Sequence, residues 1–106
     1  MTLRGILEDA AAQYGLDARS ALAEDGSVAW SRGDSVFAIV SPDGATASFL
    51  LDPLIANAAA RTTDVRASSH GRGWVDLSPR VMDGHVADRA GAWFLSAYRR
   101  LTGPGA

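Results

Sequence analysis

Val86, Ala90, Trp93, Phe94, Ala97, Tyr98 and Leu101 recur every three or four residues between Asp83 and Leu101. That spacing predicts a long helix with one wide apolar stripe, the clearest periodic signal in the chain. Asp83 and Asp88 lie near its start and Arg99 and Arg100 near its end, as the helix dipole favours. The three aromatic side chains of the stripe are assigned to the core. A stripe this wide has to be buried against a second layer.

The middle of the chain supplies that layer, because there the apolar period is two. Ser20–Ala23 reads as a weak strand and Ser27–Arg32 as a better one, set off by the turn signal Glu24-Asp25-Gly26. Val36–Ser41 is a strong strand, and Pro42-Asp43-Gly44 turns it back into Ala45–Leu51. At Asp52-Pro53 the period changes. Aspartate at the cap and proline in the first turn start a helix, with Leu54, Ile55 and Ala58 as its apolar side and an end near Arg61. Val65–Ser69 and Trp74–Leu77 are two further strands joined through Gly71-Arg72-Gly73. A first helix covers residues 2–14, capped by Thr2 and ended by Gly15, with Leu3, Ile6, Leu7, Ala10 and Tyr14 on one face. The expected fold class is α+β: one domain over residues 1–106, with an antiparallel sheet of about five or six strands and helices packed on one face. Residues 101–106 are expected to form a frayed tail.

Composition narrows the function classes. The 106 residues suffice for one domain with its own core. Without cysteine, disulfides, thiolate metal sites and cysteine nucleophiles are excluded. No apolar run is long enough to span a bilayer, and the N-terminus lacks the pattern of a signal peptide, so a cytoplasmic protein without a membrane partner is expected. All ten cationic side chains other than histidine are arginine. The net charge of −2 argues against a strong non-specific nucleic-acid binder. The charge is segregated, however. Residues 1–52 hold three arginines against eight carboxylates, a net −5, and residues 53–106 hold seven against four, a net +3. The C-terminal half can therefore present a local positive face.

No catalytic constellation stands out. His70 and His85 are the only histidines, with no second ligand at metal-binding spacing. Ser68-Ser69-His70 lacks the setting of a nucleophile elbow, and the glycines around Arg72 do not belong to a strand–loop–helix phosphate loop. No enzyme activity, cofactor or metal is expected. Trp74 is more informative. In Trp74–Leu77, Val75 and Leu77 share one face of the strand and Trp74 and Asp76 the other. With Val75 and Leu77 toward the helices, Trp74 turns outward beside Arg66, His70 and Arg72. Tryptophan and arginine together suit base stacking with phosphate contact, and equally a protein interface. The facing of Trp30 is undecided by pattern. The candidate contact residues are Arg66, His70, Arg72, Trp74, Arg80 and Trp30.

Four segments resemble the MmcQ/YjbR-like family: Trp30–Val40 (WSRGDSVFAIV), Phe49–Pro53 (FLLDP) opening a helix, His70–Val75 (HGRGWV) and Phe94–Leu101 (FLSAYRRL). The match runs over residues 30–101, and Arg72 stands where a lysine is common. The resemblance implies a frataxin-like α+β sandwich and DNA binding through a "double wing" arrangement, with His70, Arg72 and Trp74 in the relevant region. Glu8 and Asp9 do not make the acidic ridge with which frataxins hold iron. The order of elements is also similar to the small dimeric secretion-chaperone fold, which implies a protein-binding module instead. Both a monomer and a homodimer are compatible with these readings.

Overall fold

The computed structural model describes residues 1–101, and the expected tail beyond Leu101 lies outside the described residues. The chain folds as α1 (Leu3–Gln13), β1 (Arg19–Leu22), β2 (Val28–Arg32), β3 (Ser35–Val40), β4 (Ala47–Leu50), α2 (Pro53–Ala59), β5 (Val65–Ala67), β6 (Trp74–Leu77) and α3 (Gly84–Arg100). The fold is α+β, a six-stranded antiparallel sheet with three helices. The strand order is β1-β2-β3-β4-β6-β5. β6 pairs with β4, so the excursion through α2 leaves the short β5 on the outer edge.

Each helix starts on a side-chain acceptor that satisfies one of its free N–H groups. Thr2 Oγ1 accepts from Gly5 N–H at 3.0 Å, Asp52 Oδ1 from Leu54 N–H at 3.0 Å, and Asp83 Oδ1 from Val86 N–H at 2.9 Å. α1 buries Leu3, Leu7 and Ala10. Tyr14 departs from the expected stripe: it is the C-cap residue, beyond the helical turn, and is 52% exposed. α2 also departs from expectation. Its buried residues are Ala56 and Ala59, while Leu54, Ile55 and Ala58 face outward. The alanines, at i,i+3 spacing, let this short helix approach β5 and β6 closely, which places the larger apolar residues on its far side.

The core lies between the sheet and the helices. By register, Val28, Trp30, Ala38, Val40, Ala47, Phe49, Val75 and Leu77 share the helix-facing side, and all are buried. α3 crosses this face with Val86, Ala90, Phe94 and Ala97 buried, flanked by partly buried Trp93 and Tyr98. The Phe94 ring meets Trp30 edge-on at 5.9 Å and Phe37 at 5.1 Å. Phe49 and Trp93 pair at 6.1 Å. Phe37 and Ala38 are consecutive yet both fully buried. A bulge allows this: Trp30 pairs with Ala38 and Ser31 with Val36, so Phe37 is the extra residue.

Among the described residues, all three helices send their buried side chains into this one core, which leaves the opposite face of the sheet without a helix. Ala29, Ile39, Ser48, Asp76 and Arg66 form one row across it through successive strand pairs. Among the described residues, no helix is long and apolar enough to cross a membrane.

Candidate binding hairpin

β5 and β6 form a hairpin whose tip is Ser68–Gly73. Gly71 at φ +135° and Gly73 at φ +84° take backbone conformations that L side chains rarely adopt, so the tip needs glycine at both places. Ser68 Oγ accepts from His70 N–H at 3.1 Å, and Ser68 N–H donates to Trp74 O at 3.0 Å, closing the loop. Gly73 O accepts from Leu51 N–H at 2.8 Å, which ties the tip to the end of β4.

On this frame the strand alternation separates the side chains. Val75 and Leu77 are 1% and 0% exposed on the helix side, and Trp74 has the opposite parity, paired across from Leu50 and only partly buried. The His70 ring lies 5.4 Å from the Trp74 ring, tilted by 55°. Arg72 is exposed and forms no ion pair among the described residues. Arg72 and Trp74 also line a pocket of about 220 Å³ between the tip and α2, with Pro53, Ala56 and Asn57 on the helix side. The hairpin therefore joins an aromatic pair, an unpaired guanidinium and a small recess.

The remaining candidates do not all converge there. Arg66 shares the open face, but its Nε stands 3.9 Å from Asp76 Oδ2, and Ser48 Oγ donates to Asp76 Oδ1 at 2.6 Å. Part of the charge of Arg66 is thus already balanced. Arg80 follows β6, at the end of the hairpin away from the tip, where its Nε meets Asp64 Oδ1 at 3.2 Å. Trp30 has to be removed from the contact set. It is 2% exposed, on the helix-facing side of β2 against Phe94. Strand parity puts it with Val28, and a large indole facing α3 gains more from burial than from solvent.

Two features had no signal in the residue pattern. The guanidinium of Arg32 lies over the Tyr98 ring at 4.5 Å, packing one end of β2 against α3. Arg89 donates from Nη1 to Thr63 O at 3.1 Å, and its guanidinium lies 5.5 Å from the Trp93 ring. Among the described residues, no group of three or more His, Asp or Glu side chains is placed to hold a metal ion. No family model, curated protein or solved structure matches the chain.

Proposed function

We propose that this domain binds nucleic acid weakly through the β5–β6 hairpin, with single-stranded DNA as the ligand that suits it best. The observation that carries this reading is the tilted ring pair of His70 and Trp74 beside the unpaired Arg72. A partly exposed indole offers a π-face to any base, and an exposed arginine takes the neighbouring phosphate. The resemblance to MmcQ/YjbR-like proteins supports the same hairpin, and a cytoplasmic location fits such a ligand. Arg66 serves as a second, attenuated phosphate contact because Asp76 shares it. About two phosphate contacts on a single strand give a log–log salt slope of about −1.4, so binding is weak and easily screened.

A tryptophan-quenching titration with a single-stranded oligonucleotide, at low and at physiological salt, tests this. The expected result is saturable quenching at low salt that Trp74→Phe removes and Arg72→Ala weakens. Trp30 is buried, so its emission is not the reporter. Absence of quenching and of filter retention at low salt ends the proposal.

A second reading has its own observation. α2 turns Leu54, 79% exposed, and Ile55, 47% exposed, outward on neighbouring positions. That apolar step suits a protein partner or a second copy of the chain, as in a dimeric chaperone-like module. Light scattering separates the two. A dimer that Leu54→Ser disrupts, with little dependence on salt, supports the partner reading.

A further inference from the structure

We infer that a second site, specific for a phosphoryl group, lies at the end of the β5–β6 hairpin remote from its tip. There an open groove of about 800 Å³ separates the segment after α2 from the first turns of α3. Its arginines come from three different segments: Arg61 after α2, Arg80 after β6 and Arg89 from α3, where the His85 imidazole also lines the groove. His85 and Arg89 are four residues apart and so lie on one side of that helix. Two carboxylates also line the groove, and both are engaged by the protein itself. Asp83 accepts from Val86 N–H at 2.9 Å. Asp64 accepts from Arg80 N–H at 3.2 Å and meets Arg80 Nε at 3.2 Å.

The arginines are held as a set. Asp64 adopts φ +65°, the sole non-glycine residue with positive φ among those described, and its carbonyl accepts from Ser78 N–H at 2.8 Å. The strained residue thereby fixes the backbone from which Arg80 extends. Arg89 is fixed by Thr63 O and by Trp93, and its Nε is buried without a hydrogen-bond partner among the described residues. Arg61 is exposed and forms no ion pair among the described residues. Three arginines against two committed carboxylates leave an excess of positive charge.

A phosphoryl group fits this arrangement by chemistry. It brings two negative charges and three acceptor oxygens, which donors arriving from separate segments can address at once. A carboxylate has fewer acceptors and less charge. Two sources share the chemistry: a small organic phosphate, and the terminal phosphate of a nucleic-acid strand. The site is independent of the proposed hairpin contact, because neither Arg72 nor Trp74 lines the groove.

The test is a titration of the isotope-labelled chain with inorganic pyrophosphate at constant ionic strength, followed through the amide and arginine Nε–H resonances. Saturable shifts at Arg89 Nε–H and at the Gly84 and His85 amides are expected, with affinity weakened about tenfold in Arg61→Ala and in Arg80→Ala, the order expected for one lost charge-assisted contact. Arg61 is exposed, so its variant folds as the parent does. Arg72→Ala leaves the pyrophosphate affinity unchanged. A second arm compares one oligonucleotide with and without a 5′-phosphate. Tighter binding of the phosphorylated strand, lost in Arg61→Ala, identifies a strand end as the source. Equal binding of both strands, with pyrophosphate still bound, identifies a small phosphate. The inference is overturned if pyrophosphate shifts nothing beyond what chloride shifts, or if Arg61→Ala and Arg80→Ala bind it as tightly as the parent.

Discussion

Ser48 Oγ donates a 2.6 Å hydrogen bond to Asp76 Oδ1 across the β4–β6 pair, beneath the centre of the open face of the sheet. Ser48 is 4% exposed, and the Asp76 side chain 13%. A nearly buried carboxylate has little water to turn to, so this bond sets the local polarity. Removing the hydroxyl in Ser48→Ala leaves that oxygen short of a partner. The expected cost is about 1–3 kcal/mol, read as a lower urea midpoint at unchanged slope.

The same carboxylate restrains Arg66. Asp76→Asn keeps the size and the acceptor oxygen but removes the negative charge 3.9 Å from Arg66 Nε. On the nucleic-acid reading, oligonucleotide affinity then rises about two- to fivefold and the salt slope steepens, because a screened surface pair is worth about 0–1 kcal/mol. Unchanged affinity and slope place Arg66 outside the contact.

Trp74, turned outward by strand parity, and Trp30, whose side the pattern left undecided, are separated by a further pair of variants. Trp30 sits at the middle of the core against Phe94, so Trp30→Ala is expected to cost about 3–5 kcal/mol. Trp74→Ala removes a partly exposed ring at a strand end and costs markedly less stability, while abolishing the quenching signal. Thermal melts of both variants, beside the oligonucleotide titration, make the comparison.

The contrast between Trp30 and Trp74 also marks how far the residues could be read. Val75 and Leu77 declared the parity of β6 because both are aliphatic at alternate places, and Trp74 follows from them. β2 alternates against serine and alanine, which tolerate either face, so the side of Trp30 emerged only from its pairing with Ala38. The bulge at Phe37 was illegible for a related reason: an unbroken apolar run, VFAIV, hides a change of parity. In α2 the larger residues suggested the wrong buried face. Close packing on β5 and β6 selected Ala56 and Ala59, and that requirement belongs to the neighbouring strands. The hairpin tip was visible because its glycines and its aromatic are adjacent in sequence. The groove was not, since Arg61, Arg80 and Arg89 meet only through the topology.

Two turns carry a pH dependence of known sign. Asp25 is held below the ordinary aspartate value of 3.8 by the Ser27 hydroxyl first and the Ser27 N–H second. Asp43 is held below it by the Ser41 hydroxyl first and the Ala45 N–H second. A depressed folded-state value means that each contribution is present above the unfolded value and is lost as pH falls through the folded one. Both turns should therefore hold at neutral pH and loosen only in acid. Side-chain carboxyl NMR titration is expected to show Asp25 returning toward 3.8 in Ser27→Ala, and Asp43 doing so in Ser41→Ala. No movement in either variant removes the hydroxyl as the cause.

Glycine substitutions separate backbone strain from simple loss of flexibility. At Gly73, φ is +84°, and a Cβ would stand 2.8 Å from Leu51 O and 3.3 Å from Leu50 Cδ1. The obstructing atom is a backbone carbonyl at the end of β4, which cannot rotate away as a side chain would. Leu51 also donates its N–H to Gly73 O, so moving one strand end strains the other. Gly73→Ala combines the positive-φ penalty of about 1–2 kcal/mol with that clash, and a loss above about 2 kcal/mol is expected. Gly91 lies inside α3 with ordinary helical φ, and a Cβ added there would meet nothing within 4 Å. Gly91→Ala should therefore raise stability by about 0.5–1 kcal/mol, through a smaller loss of chain entropy on folding. Denaturant unfolding of the two variants should move in opposite directions. A stable Gly73→Ala would mean that the hairpin tip does not need its left-handed residue, and that the placement of Trp74 rests on β6 alone.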